Sequence, residues 1–169
     1  MDITVEPVRR DHAAAIVAAE DAATIRWLSG GRSTVESTAA WIDRLDADAA
    51  AGAGKRAFAI LADGACVGTI DYDPDLTDGL EPDDVNIAYG IAPWMRGKGL
   101  SAIAVEQICD RIRAAGVGTR AAIRAEVDNR ASARVAERAG FTFVREFDSA
   151  IDVDAAGRPV RFRLYVRPL

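Results

Sequence analysis

The sequence is poor in the residues that build several common kinds of site. It has one histidine, His12, and two cysteines, Cys66 and Cys109, in 169 residues. A single His excludes a multi-His metal site, and two distant Cys provide neither a disulfide framework nor a four-thiolate zinc site. No metal is therefore expected. Both Cys stand among apolar residues and read as structural thiols. No apolar run approaches the ~18 residues of a membrane span, and residues 1–6 show neither a basic nor an apolar leader pattern. No membrane association and a cytoplasmic location are expected. There is no excess of positive charge: 21 Lys and Arg stand against 26 Asp and Glu, a net charge of −5. That balance argues against nucleic acid or an anionic membrane as partner.

What remains is an ordinary globular composition, 50% hydrophobic and 28% charged, in a length suited to one domain spanning residues 1–169. Residues 3–9 read as a strand. Asp11 is placed to cap a short Ala-rich helix running to Glu20, which leaves His12 as a solvated first-turn residue. Ser33-Thr34-Val35-Glu36 fits a capping box with Ser33 at the N-cap, followed by a helix up to Gly52. Asp63-Gly64 marks a hairpin turn between strands 56–61 and 66–72. Residues 73–84 hold five Asp, one Glu and two Pro and read as an exposed acidic loop. Val85, Ile87, Tyr89 and Ile91 alternate as a strand. Leu100, Ala104, Val105, Ile108, Ile112 and Ala115 form the apolar stripe of a helix that stops at Gly116. A strand at 120–127, a short helix at 132–139 and strands 141–147 and 160–166 follow. The economical fold is α/β (α+β): a single mixed, mostly antiparallel sheet flanked by helices.

The chemistry is concentrated in Ile91-Ala92-Pro93-Trp94-Met95-Arg96-Gly97-Lys98-Gly99-Leu100-Ser101. A strand enters a glycine loop and a helix begins at once. The first helical N–H groups lack partners, and glycine allows close backbone approach, so this is an anion site suited to phosphate. Arg96 and Lys98 add positive charge there. Two nucleotide motifs fail. A Walker loop needs glycine where Ala92 stands and Ser or Thr where Gly99 stands. A dinucleotide fingerprint needs glycine where Ala102 stands.

Arg96-Gly-Lys-Gly99-Leu-Ser101 resembles the R/Q-x-x-G-x-G/A loop of the GCN5-related N-acetyltransferase (GNAT) superfamily, with Ser101 in place of Gly or Ala. Asn129-Arg-Ala-Ser132 and Ala139-Gly-Phe141 are similar to the N-x-x-S…G-F segment of its branch acting on ribosomal-protein N-termini (RimJ/RimL-like). The resemblance runs from residue 3 to about 166 and is strongest over 85–147. It implies the acyl-CoA N-acyltransferase fold, with acetyl-CoA as acyl-donor cosubstrate. The acceptor would be a small-molecule or peptide amine, and the protein a monomer or homodimer. It also implies that Ile91, Ala92, Met95, Arg96, Gly97, Lys98, Gly99, Leu100 and Ser101 contact the cosubstrate, with the loop amides on its pyrophosphate. Asn129 and Ser132 would meet the pantetheine arm and thiolate, although both are equally helix-capping types. Ser132, Tyr89 and Asn86 are the catalytic candidates.

An amine near pKa 10.4 must lose a proton before attack. The family's usual glutamate on the strand before the loop is missing, since that strand offers only Asn86 and Tyr89. Asp71, Asp73 and Glu126 are nearby carboxylates that also read as solvated or paired. Arg26, Trp27 and Asp71 are the acceptor-side candidates, Trp27 as cleft wall or core anchor. Residues 148–160 are the family's other acceptor segment. The loop 73–84 with Asp148, Asp152 and Asp154 suggests either a cationic acceptor or a solvated acidic surface. A non-catalytic acyl-CoA-binding domain and an enzyme using another acyl-CoA are the competing readings.

Overall fold

The structure, a computed structural model, describes residues 1–169. In chain order the strands are β1 Ile3–Pro7, β2 Arg56–Ala62, β3 Ala65–Asp73, β4 Asp84–Ile91, β5 Arg120–Glu126, β6 Thr142–Val153 and β7 Pro159–Pro168. The helices are α1 Ala13–Ala18, α2 Ala22–Thr24, α3 Val35–Ala50, α4 Leu100–Ala115 and α5 Arg130–Arg138. A 3-10 turn Arg10–His12 leads into α1, and α2 continues as a π-helical turn, Ile25–Ser29. One sheet of seven strands has the order β1-β2-β3-β4-β5-β7-β6. Every neighbouring pair is antiparallel except β4 and β5. No helix is long and apolar enough to cross a membrane.

The alternation of each strand divides its side chains between two faces. Ile60, Ile70, Val85, Ile87 and Ile123 point to the face covered by α4 and α5. There they meet Leu100, Val105, Ile108, Cys109 and Ile112 of α4 and Ala133 and Ala136 of α5. Each fully buried Ile or Val there contributes about 1.5–3 kcal/mol of transfer free energy. α1 and α3 pack together across the other face, on β3 and β2. Asp63 and Gly64 both take positive φ, as the tight turn between β2 and β3 requires.

β4 and β5 are in register only at Asp84↔Arg120, Val85↔Ala121 and Asn86↔Ala122. Arg120 clamps this end by donating to both oxygens of Asp84, at 2.7 and 3.0 Å. Beyond Asn86, β4 follows β3 to Ile91 while β5 follows β7 to Glu126. The two strands therefore part, and β4 loses its partner on that side.

Several local expectations shift. Thr34, not Ser33, caps α3, in a box with Ser37 rather than Glu36. Ser33 instead donates its N–H and hydroxyl to Glu20. Asp11 caps nothing: Arg9 is the N-cap of the 3-10 turn and His12 that of α1. His12 is buried, because its Nδ1 accepts from the Arg9 N–H and its Nε2 lies 3.3 Å from Glu6. Ala115 ends the α4 stripe in solvent, and Cys66 is half-buried. β6 extends past residue 147 to Val153.

The acidic segment 73–84 is not a free surface loop. Asp78 accepts from Arg124, the Ser149 hydroxyl and the Ala150 N–H, which hold its carboxyl below the usual range although burial opposes them. Asp152 shares Arg124, Asp148 meets Arg161, and Asp154 meets Arg158. These charges brace β5 and the β6–β7 hairpin.

Candidate active site

The parting of β4 and β5 opens a groove of about 450 Å³. Its walls are the C-terminal half of β4, the start of α4, the end of β5, the start of α5, and the turn carrying Trp27 and Leu28. Met95, Arg96, Gly97, Gly99, Leu100 and Ser101 line it from the glycine loop, and Tyr89, Ile91, Asn129 and Ser132 from elsewhere.

At the loop, Gly97 and Gly99 have φ of +78° and +81°. A Cβ at either would meet no protein atom within 4 Å. Glycine is needed there for its left-handed backbone, not for internal packing. The amides of Gly97, Lys98, Gly99, Leu100, Ser101 and Ala102 donate to no other group of the protein. They converge on the N-terminus of α4, where the helix dipole adds to their donor character.

The charges of the loop differ from expectation. Arg96 donates Nε to the Ile91 carbonyl and its two Nη atoms to Asp21, at 2.6 and 2.9 Å, with a further bond to Thr24. This pairing drives the Asp21 carboxyl far below the usual range. Arg96 is thus a tie between loop and α2, not a free cation. Lys98 is exposed beside the Met95 sulfur and does not line the groove. Arg134 and Arg138 of α5 do line it, and neither is paired with a carboxylate. Sequence reasoning missed them; their i, i+4 spacing facing the helix dipole end of α4 was the available signal.

Deeper in the groove, Tyr89 and Ser132 meet. The Tyr89 phenol is 3.0 Å from the Ser132 hydroxyl and donates to the Ser132 carbonyl at 3.2 Å. Burial pushes the phenol up to about 12, with Ser132 opposing. Asn129 is the N-cap of α5, its Oδ1 accepting from the Ser132 N–H at 3.1 Å. Capping orients α5 so that the Ser132 hydroxyl is free to face β4.

A second cavity of about 560 Å³ lies across β4, under α1 and α3. Asp71 and Thr69 of β3 line it, with Lys55, Glu20, Trp41 and Arg44. Asp71 is opposite Ala88 in the β3–β4 register. It is largely buried, and its Oδ1 lacks a hydrogen-bond donor, although Lys55 Nζ forms an ion pair with it at 3.4 Å. Burial pushes its carboxyl up to about 6 against the pull of Lys55. Thr24, Leu28, Ala88, Tyr89, Gly90 and Ile91 line both cavities. Leu28 packs directly on Gly90, where a Cβ would come within 2.5 Å of its Cδ1. Leu28 thus divides the two spaces.

Other candidates fall outside this arrangement. Asn86 is buried at the closed end of β4 with an unpaired Oδ1 and borders neither cavity. Ala92 is buried at the strand end, bonded to Val67, and touches only the second cavity. Trp27 lines the groove, with the exposed Arg26 stacked on it at 4.2 Å and paired to Glu126. Asp73 accepts from the Asp75 N–H in a turn. Residues 148–160 border neither cavity. No cluster of three or more His, Cys, Asp or Glu side chains is arranged to hold a metal.

The sequence matches the family model described as acetyltransferase (GNAT) domain over residues 2–142. No curated protein sequence matches it. Among solved structures, it is similar to an acetyltransferase from Salmonella typhimurium that modifies the N-terminal serine of ribosomal protein L7/L12. The TM-score is 0.80 at 19% identity, over 99% of this chain and 95% of that one. Mycobacterium smegmatis RimJ in complex with CoA-disulfide gives 0.80 at 23%, over 98% and 81%. The microcin C7 self-immunity acetyltransferase MccE, with acetyl-CoA and AMP, gives 0.82 at 17%, over 99% and 93%.

Proposed function

The chain belongs to the GNAT acetyltransferase family, and from that premise we propose that it transfers an acetyl group from acetyl-CoA directly to a primary amine. The observation that carries this reading is the groove itself. It has partnerless amides at a helix start on one side and a hydroxyl pair on the other. Acetyl-CoA supplies the activated thioester. The amides of residues 97–102 hold its pyrophosphate, and Arg134 and Arg138 add the charge that Arg96 does not. The open edge of β4 past Asn86 pairs with the amides of the pantetheine arm, as an added strand would.

With the cosubstrate in the groove and the amine in the second cavity, the reacting atoms meet where the two share walls, at residues 88–91. A β4 main-chain N–H there steadies the charge on the carbonyl oxygen. Ser132 gives a proton to the departing thiolate. Tyr89, kept protonated by burial, replenishes it. Neither Cys lines either cavity, so the amine attacks the thioester directly, with no thiol placed to form an acyl intermediate.

The acceptor is a small-molecule or peptide amine, contacted by Asp71 and reached past Trp27 and Arg26. Residues 1–169 act as one domain, in the cytoplasm, as monomer or homodimer. The lack of a carboxylate on β4 beside the groove favours the competing reading, a domain that binds acyl-CoA without turnover. Two measurements separate them. Calorimetric titration with acetyl-CoA is expected to give binding at micromolar concentrations. Thiol release against a panel of amino-acid esters, polyamines and short peptides is expected to exceed the amine-free rate. Binding without release from any amine favours the competing reading; no binding removes both.

A further inference from the structure

The proton on the acceptor amine needs a destination, and the carboxylates around the junction are mostly committed. Both oxygens of Glu20 accept from Ser33. Asp21 is held by Arg96, Glu126 by Arg26, and Asp73 by the Asp75 N–H. β4 offers no carboxylate beyond Asp84, which Arg120 occupies. Asp71 differs. It lines the second cavity opposite Ala88, a residue common to both cavities, and its one partner is the Lys55 ammonium, 3.4 Å from an Oδ1 that accepts no close hydrogen bond.

Resting on the acetyl-transfer reading, we infer that Asp71 is the base that takes the proton from the acceptor ammonium, and that Lys55 positions it. A carboxylate of about 6 is ionised at neutral pH, yet more basic than an ordinary Asp. The charged groups facing it are Lys55, Asp73 and, across the cavity, Glu20 and Arg44. Lys55 holds it ionised; Asp73 opposes that. In the step, an N–H bond of the ammonium breaks and its proton goes to Asp71. The freed lone pair forms the N–C bond to the thioester carbonyl. The C–S bond breaks, and the sulfur takes a proton from Ser132. Tyr89 restores Ser132 and regains its own proton from the amide nitrogen, which still carries one in excess; only the proton on Asp71 passes to solvent.

The test is the pH profile of kcat/KM for wild type, Asp71→Asn and Lys55→Met, with acetyl-CoA affinity measured in parallel. Wild type is expected to gain rate with rising pH through a limb near 6. Asp71→Asn loses that limb and about 100-fold in kcat/KM at neutral pH, with acetyl-CoA affinity unchanged. A weakly basic amine, already neutral at pH 7, recovers much of the loss. Lys55→Met moves the limb to higher pH, because removing the cation raises the Asp71 carboxyl. An Asp71→Asn enzyme within twofold of wild type, or one that keeps the limb, overturns the assignment. So does an unmoved limb in Lys55→Met. Wild type that binds acetyl-CoA but turns over no amine of the panel defeats the transfer reading, and the assignment with it. That outcome is told apart because the failure then lies in wild type and not in the variant.

Discussion

The two ends of β4 are built on opposite terms. At the Asp84–Asn86 end the strand pairs with β5, Asn86 is bonded to β3 as well, and its one charge is clamped by Arg120. At the Ile87–Ile91 end it has a neighbour on one side only and runs into a loop whose amides have no internal partner. The first end meets its charge and most of its polar needs within the chain, the Asn86 Oδ1 excepted. The second leaves them for something else to meet, and the shifted tyrosine and aspartate gather around it.

Substitutions separate the roles of the two ends. The largest effect is expected at the open end. Gly99→Val forces a β-branched residue into φ of +81°, and acetyl-CoA affinity should fall at least ~100-fold by calorimetry. The closed end should answer in stability instead. Asp84→Ala leaves Arg120 without its partner, and denaturant unfolding should show a loss of about 2 kcal/mol, discounted because Arg120 is partly exposed. Ser132→Ala should lower kcat about tenfold with acetyl-CoA affinity kept, which distinguishes a proton donor from a residue of α5 capping. The smallest effect is expected for Arg134→Gln: a few-fold loss of affinity that shrinks as salt is raised. An Asp84→Ala protein that unfolds normally but loses acetyl-CoA would instead make the clamp part of the binding site.

The open end was readable from sequence because its determinants are contiguous. Two glycines, a strand before and a helix after specify the loop without reference to the rest of the chain. The stripe of α4 was equally legible, up to Ala115. What escaped depended on distant partners. Arg96 looked like a free cation because Asp21, which neutralises it, is 75 residues away. Residues 73–84 looked solvated because Arg120 and Arg124 meet them from another strand. Asn86 is a polar residue on the right strand but at the wrong end. His12 and Ser33 failed for a local reason: adjacent polar residues compete for one cap, and a one-residue shift reverses which is buried. Asp71 was among three indistinguishable carboxylates until β3 was seen opposite Ala88.

The tie between Arg96 and Asp21 has a thermodynamic corollary. Asp21 and Thr24 begin the turn that carries Trp27 and Leu28, while Arg96 begins the glycine loop. A ligand that stiffens residues 96–99 therefore stiffens the partition between the cavities, through one guanidinium. Such coupling is reciprocal: whatever the first ligand adds to the affinity of the second, the second adds to the first. Cooperativity between the two substrates then depends on an ion pair between Arg96, on the wall of the groove, and Asp21, which borders neither cavity.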